Sequence, residues 1–316
     1  MALNVQKQVP LSPLTTFQIG GNAESFVEIK NTDELKEALE WAREHKIAVA
    51  ILAGGSNVLV ADDGFDGLVI HIVSDGHVFD GQVLTADAGC NLLSLIHEAG
   101  SRGLGGWESL AGIPGTIGGA ARGNAGAFGT EIKDVLTSVE ALHRETFEVR
   151  KFTNAECAFA YRQSFFKSHP EWIITSVSVA LQVVDATTSA VKSEETITER
   201  ERRHLQNVKA AGSYFMNPTA PTEVIAQFEQ EKNVKAREGR VPAGWLIEKA
   251  GMKGAVVGGA MASMQHPNYL VNTGNATSAD VRELAQMVKD AVKSQFGVDL
   301  KEEAVQFLWY SAHTNP

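Results

Sequence analysis

Apolar positions change period repeatedly along this 316-residue chain, and each change marks an element. Residues 17–29 read as a strand. "NTDELKEALEWAREH" reads as a helix: Leu35, Leu39 and Ala42 share one face, Asn31 is placed to cap it, and Glu34 completes a capping-box spacing. "IAVAIL" (47–52) is a buried strand that runs into Gly54-Gly55-Ser56-Asn57. "VLV" and "LVIHI" add strands around the turn "ADDGFDG". Asp80-Gly81 between alternating apolar residues predicts a hairpin. Asn91 opens a helix through about Arg102, with Leu92, Leu95, Ile96 and Ala99 inward.

Residues 103–129 break the pattern, being rich in glycine with no clear element. Strands return at 135–142, 147–152 and 172–182. The charged stretch 193–204 has no apolar stripe, which predicts a solvated helix and a domain boundary. Helices are expected at 221–231, 242–250 and 278–296. The last keeps Val281, Leu284, Val288 and Val292 at helical spacing, and Gly297 stops it. "AVQFLWY" closes the chain as a strand. Strands and helices mix without strict alternation, so the expected class is α+β rather than a doubly wound sheet.

Composition narrows the partners. The net charge of −10 argues against a nucleic-acid binder, which needs a basic face. It leaves room for an anionic small ligand. Cys90 and Cys157 stand in no metal-site or disulfide spacing. The N-terminal "MALNVQKQVPLSPLTTF" lacks a signal-peptide core, and no run approaches the ~18 apolar residues of a membrane span. The expectation is a soluble, cytoplasmic protein. No amphipathic seam demands an oligomer, so a monomer is expected.

The glycine tracts carry the candidate chemistry. Successive N–H groups in a turn such as "AGGSN" form a nest for phosphate, although the same residues also suit a plain strand-to-strand turn. No Lys-Ser/Thr follows, so it is not a Walker loop, and it is not GxGxxG. The second tract, "GLGGWESLAGIPGTIGGAARGNAGAFG", is poor in charge and carries large apolar residues. Such a backbone suits a large flat ligand, and two tracts together suit a dinucleotide-sized cofactor with a pyrophosphate.

At this point the chain resembles a known family, the UDP-N-acetylenolpyruvylglucosamine reductases, flavoenzymes of cell-wall precursor synthesis. The resemblance runs in order through "TTFQIGGNAE", "LAGGSNVLVADDGFDGLVI", "GWESLAGIPGTIGGAARGNAGAFGTEI", "AECAFAYRQSFFK", "AGSYFMNP", "AGWLIEKAGMKGAVVGGAMASMQHPNYLVN" and "LKEEAVQF". It implies a bipartite FAD-binding fold of the vanillyl-alcohol-oxidase type, with subdomains at 1–73 and 74–205, and a smaller α+β substrate-binding domain at 206–316. It also implies reduction of UDP-N-acetylenolpyruvylglucosamine to UDP-N-acetylmuramate by NADPH through FAD, a step toward peptidoglycan and hence toward cell shape and division.

Roles follow residue by residue from the resemblance. FAD would lie on Gly54, Gly55, Ser56, Asn57, Val58 and Leu59, and on Ile113, Pro114, Gly115, Thr116, Gly118, Gly119, Ala120, Asn124 and Gly126. Gly55 in particular is read as bare so that the pyrophosphate can rest on its backbone. Arg162 falls on the family's catalytic arginine, Ser213 on its proton donor and Glu303 on its catalytic glutamate, whose pKa is expected to be raised. Tyr161, Asn217 and Asn268 look like substrate contacts; His266 and Asn272 are supporting candidates. Three departures stand out. Met216 replaces a common lysine, the stretch before Ser213 is short and lacks prolines, and an insertion with its own helix follows Pro218. Lys209, Lys235 or Arg240 are candidates for the missing charge. Two other readings remain at this stage: an FAD-dependent oxidase or dehydrogenase of the same fold, and a non-catalytic nucleotide-binding protein.

Overall fold

The computed structural model describes residues 3–203 and 207–307. Its architecture is α+β and is built on two sheets. The first has the order Gln6–Pro10, Asn22–Ile29, Phe65–Ile72, Ala48–Leu52. Its two inner pairings onto Phe65–Ile72 are parallel. The second is wholly antiparallel, in the order Val149–Thr153, Leu136–His143, Trp172–Ala180, Val83–Asp87, His77–Asp80. One large apolar core spans both sheets and takes in Ile70, Leu84, Trp107 and Val177. A second core belongs to the C-terminal region, built around Trp245, Leu246, Leu284 and Val288.

Local signals explain most elements. Asn31 Oδ1 accepts the Glu34 N–H at 2.9 Å and starts the helix Thr32–His45, which buries Leu35, Ala38, Leu39 and Ala42. Burial of each leucine contributes about 1.5–3 kcal/mol. The Glu34 carboxylate reaches the Lys30 N–H, one residue further back than a capping box requires. The helix Ser278–Phe296 has a complete capping box from Thr277 and Asp280, and Gly297 ends it at φ +67°. Gly81, at φ +56°, turns the hairpin after Asp80.

Four expectations are revised. The strand predicted from residue 17 begins at Asn22. Phe17 and Ile19 instead pack into the C-terminal core, and Asn272 Nδ2 donates to the Phe17 carbonyl at 3.1 Å. The helix Ala186–Arg202 is not solvated all round. It buries Ser189, Ser193 and Arg200, with Ser189 Oγ 2.8 Å from Glu108. Its fully buried positions are polar, two serines and an arginine, so an apolar-stripe test misses it. The tract 103–129 is not elementless: Ile117–Gly123 is a short helix. The closing strand is Val305–Phe307, and the "LWY" end of "AVQFLWY" lies outside the described residues, as does the expected boundary at 205/206.

Val305–Phe307 is the connection that builds the site. It pairs in parallel with Val58–Val60, directly after the first glycine turn. The end of the described chain is thereby brought back to its first quarter.

Candidate active site

The two glycine turns touch. Ser56 Oγ donates to the Pro114 carbonyl at 3.0 Å. A Cβ on Gly54 would stand 2.7 Å from Gly115 Cα, so the loops meet backbone to backbone. The amide N–H groups of Gly54, Gly55, Ser56 and Asn57 donate to no acceptor among the described residues, and neither do those of Gly115 and Thr116. Buried or half-buried amides left without partners are rare, and a run of them forms a nest for an anion.

Not every glycine leaves room for a ligand. Gly55 is buried at φ +59°, and its missing Cβ faces the Leu14 carbonyl. Its bareness therefore serves the chain's own packing, contrary to the reading from sequence, while its N–H remains free. Gly118 packs against Ala88 in the same way. Leu59 and Ala120 are buried in cores. Val58 belongs to the pairing with Val305, and Ile113 is half-buried with its N–H bonded to Leu110. Gly54, Pro114 and Gly119 stay exposed. Thr116 Oγ1 caps the helix Ile117–Gly123 through the Gly119 N–H at 3.2 Å.

Beyond that helix the second tract turns into a charged cluster. Asn124, fully buried at φ +45°, donates to Glu131 at 3.1 Å and to the Ala160 carbonyl at 2.9 Å. Arg162 sits on a left-handed turn, φ +55°, closed by reciprocal bonds between Ala160 and Gln163. Its guanidinium donates to the Asn124 carbonyl at 3.3 Å and the Gly126 carbonyl at 2.6 Å, and its Nε lies 2.9 Å from Glu303 Oε1. Glu131 Oε1 is 3.8 Å away. Lys167 Nζ holds the Arg162 carbonyl at 2.9 Å.

Electrostatics follow burial. The Arg162 and Glu303 side chains are each 19% exposed. Burial pushes the Glu303 carboxyl above its usual range, and Arg162 and Lys167 pull it back only in part. Burial also draws Lys167 and Arg122 below theirs. A chain of net charge −10 thus gathers several cations at one place.

The remaining candidates divide. The Ser213 hydroxyl makes no hydrogen bond to a described residue, and no contact joins it to Arg162 or Glu303. Its neighbour Tyr214 accepts the Glu303 N–H at 2.8 Å. The guanidinium groups of Arg162 and Arg240 both lie over the Tyr161 ring, at 5.1 Å and 4.6 Å from its centre. The Tyr161 hydroxyl accepts the Asn217 N–H at 3.3 Å, and Asn217 Oδ1 accepts the Ala243 N–H. Asn268 is 2% exposed, with both ends of its amide bonded to Phe215, so it is not a free substrate contact. Asn272 is likewise held by backbone. His266 keeps an unpartnered buried Nδ1 among the described residues, and burial lowers its pKa.

Arg240, from the insertion, is the candidate cation that reaches the site. It also pairs with Glu238, whereas Lys235 pairs with Glu229 and is 90% exposed. Sequence reading missed Glu131 and Lys167. Both lie inside quoted motifs, "GAFGTEI" and "YRQSFFK", but their signal is contact with Arg162, which no spacing announces.

Comparison with known proteins closes the identification. Residues 23–149 match an FAD binding domain, and residues 203–307 match the C-terminal domain of UDP-N-acetylenolpyruvoylglucosamine reductase. The UDP-N-acetylenolpyruvoylglucosamine reductase of Solibacter usitatus is 37% identical over 309 residues, 97% of each chain. That of Pseudomonas putida is 35% identical, across 96% of this chain and 99% of its own. The crystal structure of the Thermus caldophilus UDP-N-acetylenolpyruvylglucosamine reductase superposes with a TM-score of 0.77 at 30% identity, covering 97% of this chain and 100% of that one. The chain belongs to the UDP-N-acetylenolpyruvoylglucosamine reductase family.

Proposed function

We propose that this protein reduces UDP-N-acetylenolpyruvylglucosamine to UDP-N-acetylmuramate with NADPH, using FAD, in peptidoglycan precursor synthesis. The observation that carries the reading is the Arg162–Glu303 pair, tied through Asn57 to a turn of amides unpartnered among the described residues. Those amides fit a pyrophosphate: they are donors without acceptors among the described residues, on two loops in contact. Gly54, Ser56, Asn57, Gly115 and Thr116 would hold the cofactor. Bound FAD would carry hydride from NADPH to the terminal carbon of the enol ether.

Hydride arrival drives charge into the substrate carboxylate. Arg162 meets that charge. The contacts to Glu303, Asn124 and Gly126 leave part of its five-donor fork for a carboxylate. Glu303, biased toward its neutral form by burial, would donate a hydrogen bond to the same group. Ser213 would give its proton to the carbon bearing the carboxylate. That carbon, when enolate-like, is basic enough for a neutral alcohol to serve. Arg240 and Asn217 Nδ2 line the side where the missing family lysine would stand, and suit the diphosphate.

The full-length match to reductases argues against an oxidase of the same fold. Among the described residues no helix is long and apolar enough to cross a membrane. Cys90 and Cys157 are free and buried, which pushes both thiols up to about 11. A cytoplasmic monomer, divided at 1–73, 74–205 and 206–316, and a contribution to cell shape and division complete the reading.

The test is the visible spectrum of the purified protein. Flavin bands should bleach with NADPH and return without oxygen when the enolpyruvyl nucleotide is added. Return with oxygen alone would move the reading to an oxidase, and a protein that cannot take up FAD would end it.

A further inference from the structure

Asn268 occupies an unusual place. Its side chain is buried, and both ends of its amide are committed to one residue. Oδ1 accepts the Phe215 N–H at 3.0 Å, and Nδ2 donates to the Phe215 carbonyl at 2.8 Å. The main-chain carbonyl of Asn268 accepts the Tyr214 N–H at 2.7 Å. Three bonds from one asparagine therefore grip the segment that begins at Ser213.

The other side of that segment faces the C-terminal run. The Tyr214 carbonyl accepts the Glu303 N–H at 2.8 Å, Phe215 bridges to Glu302, and the Met216 N–H donates to Lys301 at 2.9 Å. The segment is thus clamped between Asn268 and residues 301–304. Phe215 is 1% exposed, so water cannot replace a lost bond there without opening the core.

We propose that Asn268 is a positioning residue for the proton-transfer step: it fixes the Ser213 segment in register against Glu303, and so holds the proton donor and the carboxyl group to one geometry. This rests on the proposed roles of Ser213 and Glu303. It replaces the reading of Asn268 as a substrate contact, because Oδ1 and Nδ2 are both engaged by Phe215 and the residue is 2% exposed.

The prediction separates two half-reactions. Bleaching of the bound flavin by NADPH needs no proton from Ser213. Return of the flavin bands with the enolpyruvyl nucleotide does. In the FAD-loaded protein, Asn268→Ala should slow the second step about a hundredfold, the loss expected from a displacement near 1 Å, and raise its solvent isotope effect. Bleaching by NADPH should stay within about twofold. Asn268→Asp keeps an acceptor for the Phe215 N–H but sets a carboxylate oxygen against the Phe215 carbonyl. It is the milder variant if the alanine protein does not fold, and the same split is expected. Combined with Ser213→Ala, either change should add little, since both act on one proton transfer.

Equal slowing of both half-reactions, or full additivity with Ser213→Ala, would overturn the proposal and leave Asn268 as a fold residue only. Failure of the unsubstituted protein to be reoxidised by the nucleotide would instead overturn the proposed function, so the two failures are distinguishable.

Discussion

The side-chain amide of Asn57 donates to the main-chain carbonyl of Glu303 at 3.2 Å, across 246 residues of chain. The carbonyl of Asn57 accepts the Val305 N–H at 2.9 Å. The same turn whose amides lack partners among the described residues is therefore the support of the carboxylate that meets Arg162. Cofactor nest and charge pair are one construction.

That coupling is testable at Asn57. Asn57→Ala removes one bond to Glu303 and leaves a half-buried carbonyl short of a donor. Stability should fall by about 1 kcal/mol. Turnover should fall about tenfold through a shifted Glu303, the rate equivalent of about 1.4 kcal/mol. Equilibrium unfolding and steady-state kinetics read the two effects separately.

Glycines 55 and 119 should behave oppositely. Gly55→Ala meets the Leu14 carbonyl in a left-handed backbone, and should cost about 3 kcal/mol or more whether or not FAD is present. Gly119 is exposed and helical, and a Cβ there meets only its own cap, Thr116, at 3.5 Å. Gly119→Ala should stabilise the FAD-free protein by up to about 1 kcal/mol, while weakening FAD binding if the loop carries the cofactor. Thermal melts with and without FAD, and a flavin titration, check both signs.

Glu303 predicts a pH dependence. Burial raises its folded pKa above the unfolded value, so its neutral form is favoured in the fold. That contribution is present below the ordinary glutamate range and is lost as pH rises through the folded value. Glu303→Gln keeps the neutral form at all pH. The variant should gain stability relative to the parent at neutral pH, and the gain should vanish on acidification below about pH 4. Its turnover should be strongly reduced. A melting series over pH tests the first statement and kinetics the second.

Arg240→Ala removes the guanidinium stacked on Tyr161. KM for the enolpyruvyl nucleotide should rise about tenfold or more, in line with a charge-assisted contact of about 1.5–3 kcal/mol. NADPH bleaching of the flavin should be untouched. Lys235→Ala, at an exposed side chain paired with Glu229, should change neither.

The chain itself determines what rests on neighbours in sequence. Asn31, Thr277 and Gly297 sit at helix ends whose periodic faces are already visible, because caps and amphipathic spacing act within one or two turns. The hairpin at Asp80-Gly81 and the order of motifs that mark the family are legible for the same reason. The helix Ile117–Gly123 is not, because glycine opposes it locally. It forms where Ile117 and Gly118 donate their N–H groups to Cys90 and Ala88, and the close packing of Gly118 on Ala88 admits no side chain. The inward face of Ala186–Arg202 is hidden likewise, since serine buried against Glu108 has no apolar signature.

For the site, the sequence names Arg162, Ser213 and Glu303 through their motifs, but not what holds them. That Arg162 meets Glu303 depends on Val305–Phe307 pairing with Val58–Val60, and that Gly55 faces Leu14 depends on how the first turn folds back on the chain. Asn268 reads as a ligand contact in its motif and proves buried, with both ends of its amide bonded to Phe215. Each is a contact between distant segments. Such contacts are selected by shape and hydrogen-bond satisfaction once the cores assemble, and a one-dimensional pattern carries no record of which side chain a buried amide will find.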